Sequence, residues 1–261
     1  MNRVFPSVDA YGWRGRIGLI LPADNVLMEP ELNALPLVGV SFHGLRLTAT
    51  EPEAMRRQAV ELARAVRELG LDAVVYACAE TSFNGGDGVR TSLSETIEQE
   101  CGVPVVTATN ALLAALEFSG AKRLAVATPY SAVSAGILEG TLRDHGYDIA
   151  ASIHRDFSLE SSDPRVWYLT NRQPATLSYE IAKSIEDVDA DTVVMVSTNW
   201  ATLQIVEFLE RDTGKLVLTT NQSILWWLLR RLRIRQEDLG IGRLFAQPET
   251  SAALEGAGEA S

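Results

Sequence analysis

The chain is short of the residues that hold disulfide-rich or metal-bound proteins together. Its 261 residues include two cysteines and three histidines, and their spacing matches neither a disulfide framework nor a set of metal ligands. Basic residues are scarce too, because 23 Lys and Arg stand against 34 Asp and Glu and give a formal net charge of −11. Proteins that bind nucleic acid usually present a basic face. We therefore expect neither a bound metal nor a nucleic-acid partner.

Long apolar runs are also lacking. Runs such as Ile224–Leu229 are far shorter than the roughly 20 residues that cross a bilayer, and the first residues lack the apolar core of a signal peptide. We therefore expect no membrane partner and a location in the reducing cytoplasm, where two free thiols are ordinary. The stretch Gly85–Gly88, which we predict to be a loop, matches neither a P-loop nor a GxGxxG turn, so it gives nucleotide binding little support.

Short strand-like segments alternate with amphipathic helical segments, such as the predicted helix Pro52–Leu69, which Gly70 ends. The strand-like segments are almost continuously apolar, which is typical of a parallel sheet with helices on both faces. They are Arg16–Leu21, Ala73–Ala77, Val103–Val106, Arg123–Ala127, Thr192–Val196 and Leu216–Leu218. This alternation predicts an α/β fold.

Three segments of the first half recur in the same order in the second half. RIGLILP, which ends at Pro22, is similar to RLAVATP, which ends at Pro129. DAVVYACAET (Asp72–Thr81) is similar to DTVVMVSTNW (Asp191–Trp200), and GVPVVTATN is similar to GKLVLTTN. Similar segments in one order are typical of an internal duplication. The repeat therefore predicts two similar α/β units.

We expect these units to form two pseudo-symmetric lobes, each a parallel sheet flanked by helices. The first lobe is assigned to residues 14–120 and the second to residues 121–236, whose last helix we expect to pack back on the first lobe. The small, polar stretch 248–261 is expected to be a disordered tail. Ligands of open α/β sheets bind beyond the carboxyl ends of the strands, so we expect the site in the cleft between the lobes.

The repeat places Cys78 opposite Ser197, each just past the end of a predicted strand. A thiol there can receive backbone N–H donors, which favour the nucleophilic thiolate. An inert buried cysteine is the alternative that position alone leaves open. We expect Glu80 to point away from the thiol, because a carboxylate beside it would raise its pKa.

Polar residues in the neighbouring turns are candidates for holding a substrate. Tyr130, in the turn after the first strand of the second lobe, could donate a proton or anchor a carboxylate. Asn25 could donate its amide to a carboxylate, or only cap a turn. The full set of candidate substrate-binding residues is Asn25, Ala79, Thr81, Ser82, Thr198 and Asn199.

The motifs at these positions resemble those of the aspartate/glutamate racemase superfamily, in particular its branch of maleate cis-trans isomerases and arylmalonate decarboxylases. The similarity covers roughly Arg16 to Leu232. The motifs similar to maleate isomerases are PADNVLME (Pro22–Glu29), YAC (Tyr76–Cys78), TPY (Thr128–Tyr130) and NQSILW (Asn221–Trp226). The motif TSF (Thr81–Phe83), followed by Gly85, is similar to arylmalonate decarboxylases.

The resemblance implies chemistry without a cofactor on a small carboxylate held between the lobes. Racemases and isomerases of this superfamily place one cysteine on each lobe. Here Cys78 matches the first of these positions, but Ser197 stands at the second. A serine is a far poorer acid or base than a thiol at neutral pH, which argues against two-base racemisation and leaves chemistry that needs one thiolate.

We therefore favour a cis-trans isomerase of a maleate-like dicarboxylate, with Cys78 as nucleophile and Tyr130 and Ser197 completing the catalytic set. A decarboxylase of a substituted malonate, with Cys78 as proton donor, is the first alternative. A cysteine-dependent hydrolase of a cyclic amide or imide and a non-catalytic protein that binds small acids are the others. The resemblance and the Trp-rich segment Trp226–Trp227, which looks exposed in the sequence, also predict a homodimer or homotetramer.

Overall fold

The structure is a computed structural model that describes residues 11–160, 170–235 and 239–246. In these residues the strands are β1 (Gly15–Pro22), β2 (Val40–Leu47), β3 (Ala73–Tyr76), β4 (Val105–Thr107), β5 (Arg123–Thr128), β6 (Asp148–His154), β7 (Thr192–Met195) and β8 (Leu216–Thr219). The helices are α1 (Met28–Asn33), α2 (Pro52–Ala65), α3 (Ala79–Phe83), α4 (Gly86–Cys101), α5 (Ala108–Ser119), α6 (Ala132–Asp144), α7 (Ala175–Lys183), α8 (Val206–Thr213) and α9 (Thr220–Arg231).

The strands form two four-stranded parallel sheets with the same internal order, β2-β1-β3-β4 and β6-β5-β7-β8. The repeated segments therefore occupy equivalent strands, with β1, β3 and β4 matching β5, β7 and β8. Cys78 follows β3 and Ser197 follows β7, the equivalent strand of the second sheet, and each residue lies at the same distance from the end of its strand. The predicted α/β fold of two similar parallel sheets is confirmed.

Two details differ from the sequence predictions. The helix that begins at Pro52 ends at Ala65, and a separate 3-10 turn, Arg67–Leu69, precedes Gly70, which has a φ of +61°. The stretch Gly85–Gly88 is not a loop, because α4 already begins at Gly86. The predicted tail, 248–261, lies outside the described residues.

A shared apolar core joins the two sheets. It includes Ile17 of β1, Leu124 of β5 and buried residues of α5 and α9, which pack against each other. Separate apolar clusters cover the outer faces of the two sheets. No helix in the described part of the chain is long and apolar enough to cross a membrane.

The Trp-rich segment is not exposed as the sequence suggested. Trp226 is only 7% exposed, and its ring lies 5.0 Å from that of Phe118 on α5. The Arg230 guanidinium covers both rings, 4.4 Å from the centroid of Phe118 and 5.1 Å from that of Trp226. Trp226 therefore serves the contact between α5 and α9 within the chain, and it gives no support to an oligomer.

Candidate active site

A cavity of about 510 Å³ lies at the carboxyl ends of the strands and is lined by residues of both halves of the chain. Seven of the nine residues predicted for the site line it. They are Cys78, Ala79 and Thr81 from the first half and Tyr130, Ser197, Thr198 and Asn199 from the second. The duplication thus brings the equivalent turns of the two halves to one cavity.

Cys78 is the residue before α3, at the end of β3. Its backbone is extended, with φ −122° and ψ 101°, so the chain turns from strand to helix at this residue. The thiol is free, and the residue is only 8% exposed at the cavity wall. Cys78 therefore lines the cavity while most of its surface packs into the core.

Burial raises the pKa of the Cys78 thiol to about 11, and the nearby carboxylates Glu80 and Asp24 raise it as well. The hydroxyl and backbone N–H of Thr81 hydrogen bond to the thiol and act in the opposite direction. The sequence predicts that backbone donors favour the thiolate, but desolvation outweighs these donors here. The Cys78 thiol is therefore protonated at neutral pH in this site.

Thr81 links the thiol to a second hydroxyl. The Tyr76 and Thr81 hydroxyl oxygens lie 2.7 Å apart in a buried hydrogen bond. Burial is the main reason why the pKa of Tyr76 is raised, so its phenol stays protonated and can donate to Thr81. Thr81 can then direct its own hydroxyl proton toward Cys78, which stabilises a thiolate once one forms.

Tyr130 lines the cavity from the second half of the chain, in the turn after β5. Its ring meets that of Phe83 edge-on, with centroids 5.8 Å apart, and this contact joins the two halves beside the cavity. Burial raises the pKa of Tyr130 well above its ordinary value, with smaller contributions from Glu80 and Cys78, while a hydrogen bond with Ser197 lowers it. Tyr130 is therefore a neutral phenol that can donate a hydrogen bond.

Two of the predicted site residues, Asn25 and Ser82, lie behind the cavity wall and are not among the residues that line it. Asn25 is 1% exposed, and its side-chain amide nitrogen donates to the Thr198 carbonyl and hydroxyl oxygens, each at 3.2 Å. Ser82 is also buried, and its hydroxyl donates to the Ala79 carbonyl at 2.8 Å. Both side chains thus hydrogen bond to the chain segments that shape the cavity, and a direct role of either one in substrate binding stays a prediction.

Glu80 does not point away from the cavity as predicted. It lines the wall beside Cys78, and the Ser134 hydroxyl donates to its Oε1 at 2.5 Å. Ser134 belongs to α6 of the second half, so this contact bridges the two halves. The hydrogen bond satisfies the carboxylate at the cavity edge, which is why it can stay near the thiol.

Asp24 is a lining residue that the sequence analysis missed. Its carboxylate accepts a hydrogen bond from the Asn199 side chain at 3.0 Å, and its carbonyl accepts one from Asn171 at 2.7 Å. Burial raises the pKa of Asp24. Its place directly after the Pro22 turn is the signal that could have identified it.

Other missed lining residues come from turns that the sequence analysis had not connected to the site. Thr48 and Thr50 follow β2, a strand that the apolar pattern did not predict, and Asp156 and Thr170 follow β6. Within the described lining there is no Lys, Arg or His, and the groups that these residues offer to an anion are N–H and O–H donors. The described residues contain no group of three His, Cys, Asp or Glu placed to hold a metal.

Comparison with known proteins assigns the chain to a family. The sequence model of arylmalonate decarboxylase matches residues 17–245, which is most of the chain. The chain belongs to the arylmalonate decarboxylase family. The branch predicted from the sequence motifs is thereby confirmed.

Relatives of known activity include both enzymes of this branch. The chain is 27% identical over 254 residues to the maleate isomerase of Nocardia farcinica, covering 91% of this chain and 98% of that enzyme. It is 24% identical over 221 residues to the arylmalonate decarboxylase of Bordetella bronchiseptica, covering 81% of this chain and 85% of that enzyme. The chain thus resembles full-length enzymes of two different activities.

A solved structure of the Nocardia farcinica maleate cis-trans isomerase is also similar, with a TM-score of 0.79 and 26% identity over 90% of this chain and 99% of that one. That protein is a variant in which serine replaces one cysteine, and it carries a covalently bound succinylcysteine intermediate. In the present family member, one cysteine, Cys78, and one serine, Ser197, line the same cavity.

Proposed function

We propose that the chain is a cofactor-independent cis-trans isomerase of a small unsaturated dicarboxylate such as maleate. The observation that carries this proposal is the position of Cys78, the one cysteine in the described lining, in the cavity that Tyr130 and Ser197 also line. The similarity to maleate isomerases over most of the chain supports the same reaction.

The reaction needs one thiolate and no net proton transfer. The Cys78 thiolate adds to one alkene carbon, and the π electrons move toward the carboxylate on the other carbon to give an enolate-like intermediate. The former double bond is now single and rotates. The electrons then return, the carbon–sulfur bond breaks, and the thiolate leaves the trans product.

Donors on the second half of the chain are placed to stabilise the enolate-like intermediate. Tyr130 and Ser197 line the cavity and carry hydroxyl groups, and Thr198 and Asn199 add further polar groups to the lining. Fixed donors of this kind stabilise charge that develops in the transition state. Ser197 acts here as a hydrogen-bond donor, a role that does not require a second thiol.

The acidic lining limits how a dianion binds. Asp24 and Glu80 would repel a substrate carboxylate placed beside them, and the described lining offers no cationic side chain to offset this repulsion. We therefore expect the substrate to place its carboxylates near Tyr130 and Ser197, which supply hydroxyl groups in the second half of the chain.

One observation favours a second candidate, decarboxylation of a substituted malonate. The raised pKa of Cys78 keeps the sulfur protonated at neutral pH. A protonated thiol is what a decarboxylase needs, because it delivers a proton to the enediolate left after carbon dioxide departs. In that reaction the same Tyr130 and Ser197 donors would hold the enediolate.

Proton NMR of the wild-type protein and of Cys78→Ser tests the proposal. We expect maleate to become fumarate with the wild-type protein, and turnover to fall by about a thousandfold or more in the variant, since a serine hydroxyl is a poor nucleophile. Cys101→Ser is the matched control, because Cys101 is buried at the end of α4, away from the cavity. Turnover retained by Cys78→Ser would refute the mechanism.

Substrates of the other classes distinguish the alternatives in the same assay. Loss of carbon dioxide from phenylmalonate without maleate isomerisation would assign the decarboxylase. Ring opening of a cyclic imide would assign the hydrolase. Binding of these acids with equal affinity by both proteins, with no turnover, would assign a binding protein.

We also propose that the enzyme works in the cytoplasm as a homodimer or homotetramer, on a free small carboxylate and without a nucleic-acid or membrane partner. The free cysteines and the net charge of −11 support the location and the lack of a nucleic-acid partner. The oligomer rests on the resemblance to the superfamily alone. Sedimentation equilibrium tests it, and a monomer at micromolar concentration would refute it.

A further inference from the structure

We infer that Glu31 is a positioning residue, which holds the turn 197–199 of the second half against the strand end that carries Cys78 in the first half. Residues 197–199 form the Thr198 turn. All three of its residues line the cavity, so its position sets where their donors face the sulfur. This inference rests on the proposed function only in its effect on turnover.

Thr198 is tied directly to the Cys78 strand. Its hydroxyl donates to the carbonyl of Ala77, the residue before Cys78, at 3.0 Å. Asn25, from the turn before α1, donates to the carbonyl and hydroxyl oxygens of Thr198, each at 3.2 Å. The Thr198 turn is thus attached to two segments of the first half.

Glu31 holds the same turn through Asn221 and through the backbone that follows it. The Asn221 amide nitrogen donates both to Glu31 Oε2 at 2.8 Å and to the Thr198 carbonyl at 3.2 Å. Glu31 Oε1 accepts from the backbone N–H groups of Thr202 at 2.9 Å and Leu203 at 3.2 Å. One carboxylate on α1 therefore fixes three points of the second half.

The chemistry of these partners requires an acceptor on both oxygens of residue 31. All three partners of Glu31 are N–H donors. Both oxygens of an ionised carboxylate accept hydrogen bonds and neither donates one, whereas the glutamine side chain of the same size also carries a donor. A glutamine there keeps the shape but turns one oxygen into an NH₂ group. The new donor would face the Asn221 amide nitrogen or the backbone N–H pair.

Glu31→Gln is therefore expected to release the Thr198 turn. If Asn221 rotates its amide to accept from the glutamine, its nitrogen leaves the Thr198 carbonyl, and that hydrogen bond is lost. Small displacements of donors from the reacting atoms reduce rates strongly, by up to about a hundredfold per ångström. We expect kcat to fall about tenfold or more, with a smaller change in KM, because these donors act mainly in the transition state.

Glu210→Gln is the matched control. Glu210 is also a buried carboxylate that joins two segments, since it accepts from the backbone N–H groups of Val217 at 3.1 Å and Arg243 at 2.8 Å. Neither Glu210 nor these partners lines the cavity. We expect Glu210→Gln to lower Tm at least as much as Glu31→Gln but to leave kcat within about twofold of wild type.

Alkylation of Cys78 gives a second readout that does not depend on turnover. The protein is treated with iodoacetamide at fixed pH, and peptide mass spectrometry then gives the alkylation rate of Cys78 separately from that of Cys101. Release of the Thr198 turn should expose the thiol, so we expect alkylation of Cys78 to quicken severalfold in Glu31→Gln and to stay unchanged in Glu210→Gln. If the wild-type protein isomerises no substrate, the proposed function fails, and this rate still decides the role of Glu31.

A second variant covers the case in which Glu31→Gln does not fold. Asn221→Ala removes the same link to Thr198 and leaves the carboxylate in place, so it should change kcat and Cys78 alkylation in the same direction. The inference is overturned if Glu31→Gln, or Asn221→Ala where the first variant fails to fold, lowers Tm while kcat and the Cys78 alkylation rate stay at wild-type values.

Discussion

At the scale of single residues, the protonation state of Cys78 decides which reaction the cavity can perform. Burial and two carboxylates raise its pKa to about 11, and the Thr81 donors only partly offset this. The Cys78 thiolate is therefore a minor species at neutral pH. An isomerase must use that minor thiolate, whereas a decarboxylase can use the protonated form.

The pH dependence of kcat/KM separates these two uses of Cys78. Below the raised pKa the thiolate fraction grows about tenfold for each pH unit, so we expect kcat/KM for maleate to rise steeply from pH 7 to pH 9, since this constant reports the free enzyme. Decarboxylation of phenylmalonate would instead be flat over this range and fall only above about pH 11. A flat maleate profile would contradict the thiolate mechanism.

Thr81→Val tests whether the pH dependence of kcat/KM comes from the titration of Cys78. The substitution removes the hydroxyl that hydrogen bonds to the thiol and lowers its pKa. The rise in kcat/KM should therefore move to higher pH, with a lower value at pH 8. An unchanged profile would mean that the titration belongs to a group other than Cys78.

At the scale of helices and strands, a capping box fixes the N-terminus of α9. The Thr219 hydroxyl accepts from the Gln222 backbone N–H at 3.3 Å, and Gln222 Oε1 accepts from the Thr219 N–H at 3.1 Å, which completes a capping box. We expect Thr219→Ala to cost about 1 kcal/mol, which lowers Tm by about 2–4 °C in a chain of this size.

Thr96→Ala is the control for the cap. The Thr96 hydroxyl only donates to the Ser92 carbonyl within α4, a contact that adds little to helix stability. Thermal unfolding of both variants by circular dichroism should therefore separate them. Equal Tm values for the two variants would show that the cap does not stabilise the fold.

The elements that the sequence predicted well are those that are buried on both faces. β1, β3, β5 and β7 carry continuous apolar runs, and the predicted bounds agree with the structure within one residue. The edge strands β2 and β6 were missed, because polar residues such as His43 and Ser152 interrupt their pattern where one side faces solvent. The lining residues after these strands were missed with them.

The site was predictable where it depends on the repeat and not where it depends on side-chain direction. Alignment of the two halves placed Cys78 and Ser197 together, because equivalent turns of two similar sheets face one cavity. The sequence could not show that Asn25 turns toward Thr198 or that Ser134 draws Glu80 to the cavity edge. Both directions are set by partners from the other half of the chain.

At the scale of the whole molecule, the two halves share one core and should unfold together. Trp226 on α9 packs against Phe118 on α5 at this junction. We expect Trp226→Ala to lower the free energy of unfolding by about 3–5 kcal/mol, the usual cost of removing a buried aromatic side chain. Urea unfolding followed by far-ultraviolet circular dichroism and by fluorescence should show one coincident transition at a lower midpoint.

Trp13→Ala is the control for the junction, because Trp13 is largely exposed and should change stability by less than about 0.5 kcal/mol. Two separate transitions in the wild-type protein would contradict the shared core. They would also weaken the inference that contacts between the halves position the Thr198 turn.

The most direct test of thiolate addition by Cys78 is to capture the covalent intermediate. The wild-type protein would be mixed with maleate, quenched rapidly in acid and digested, and its two cysteine-containing peptides would be weighed by mass spectrometry. The thiolate mechanism predicts a succinyl group on the Cys78 peptide, absent from the Cys101 peptide and absent from Cys78→Ser protein. Conversion of maleate to fumarate with no adduct on Cys78 at any quench time would contradict it.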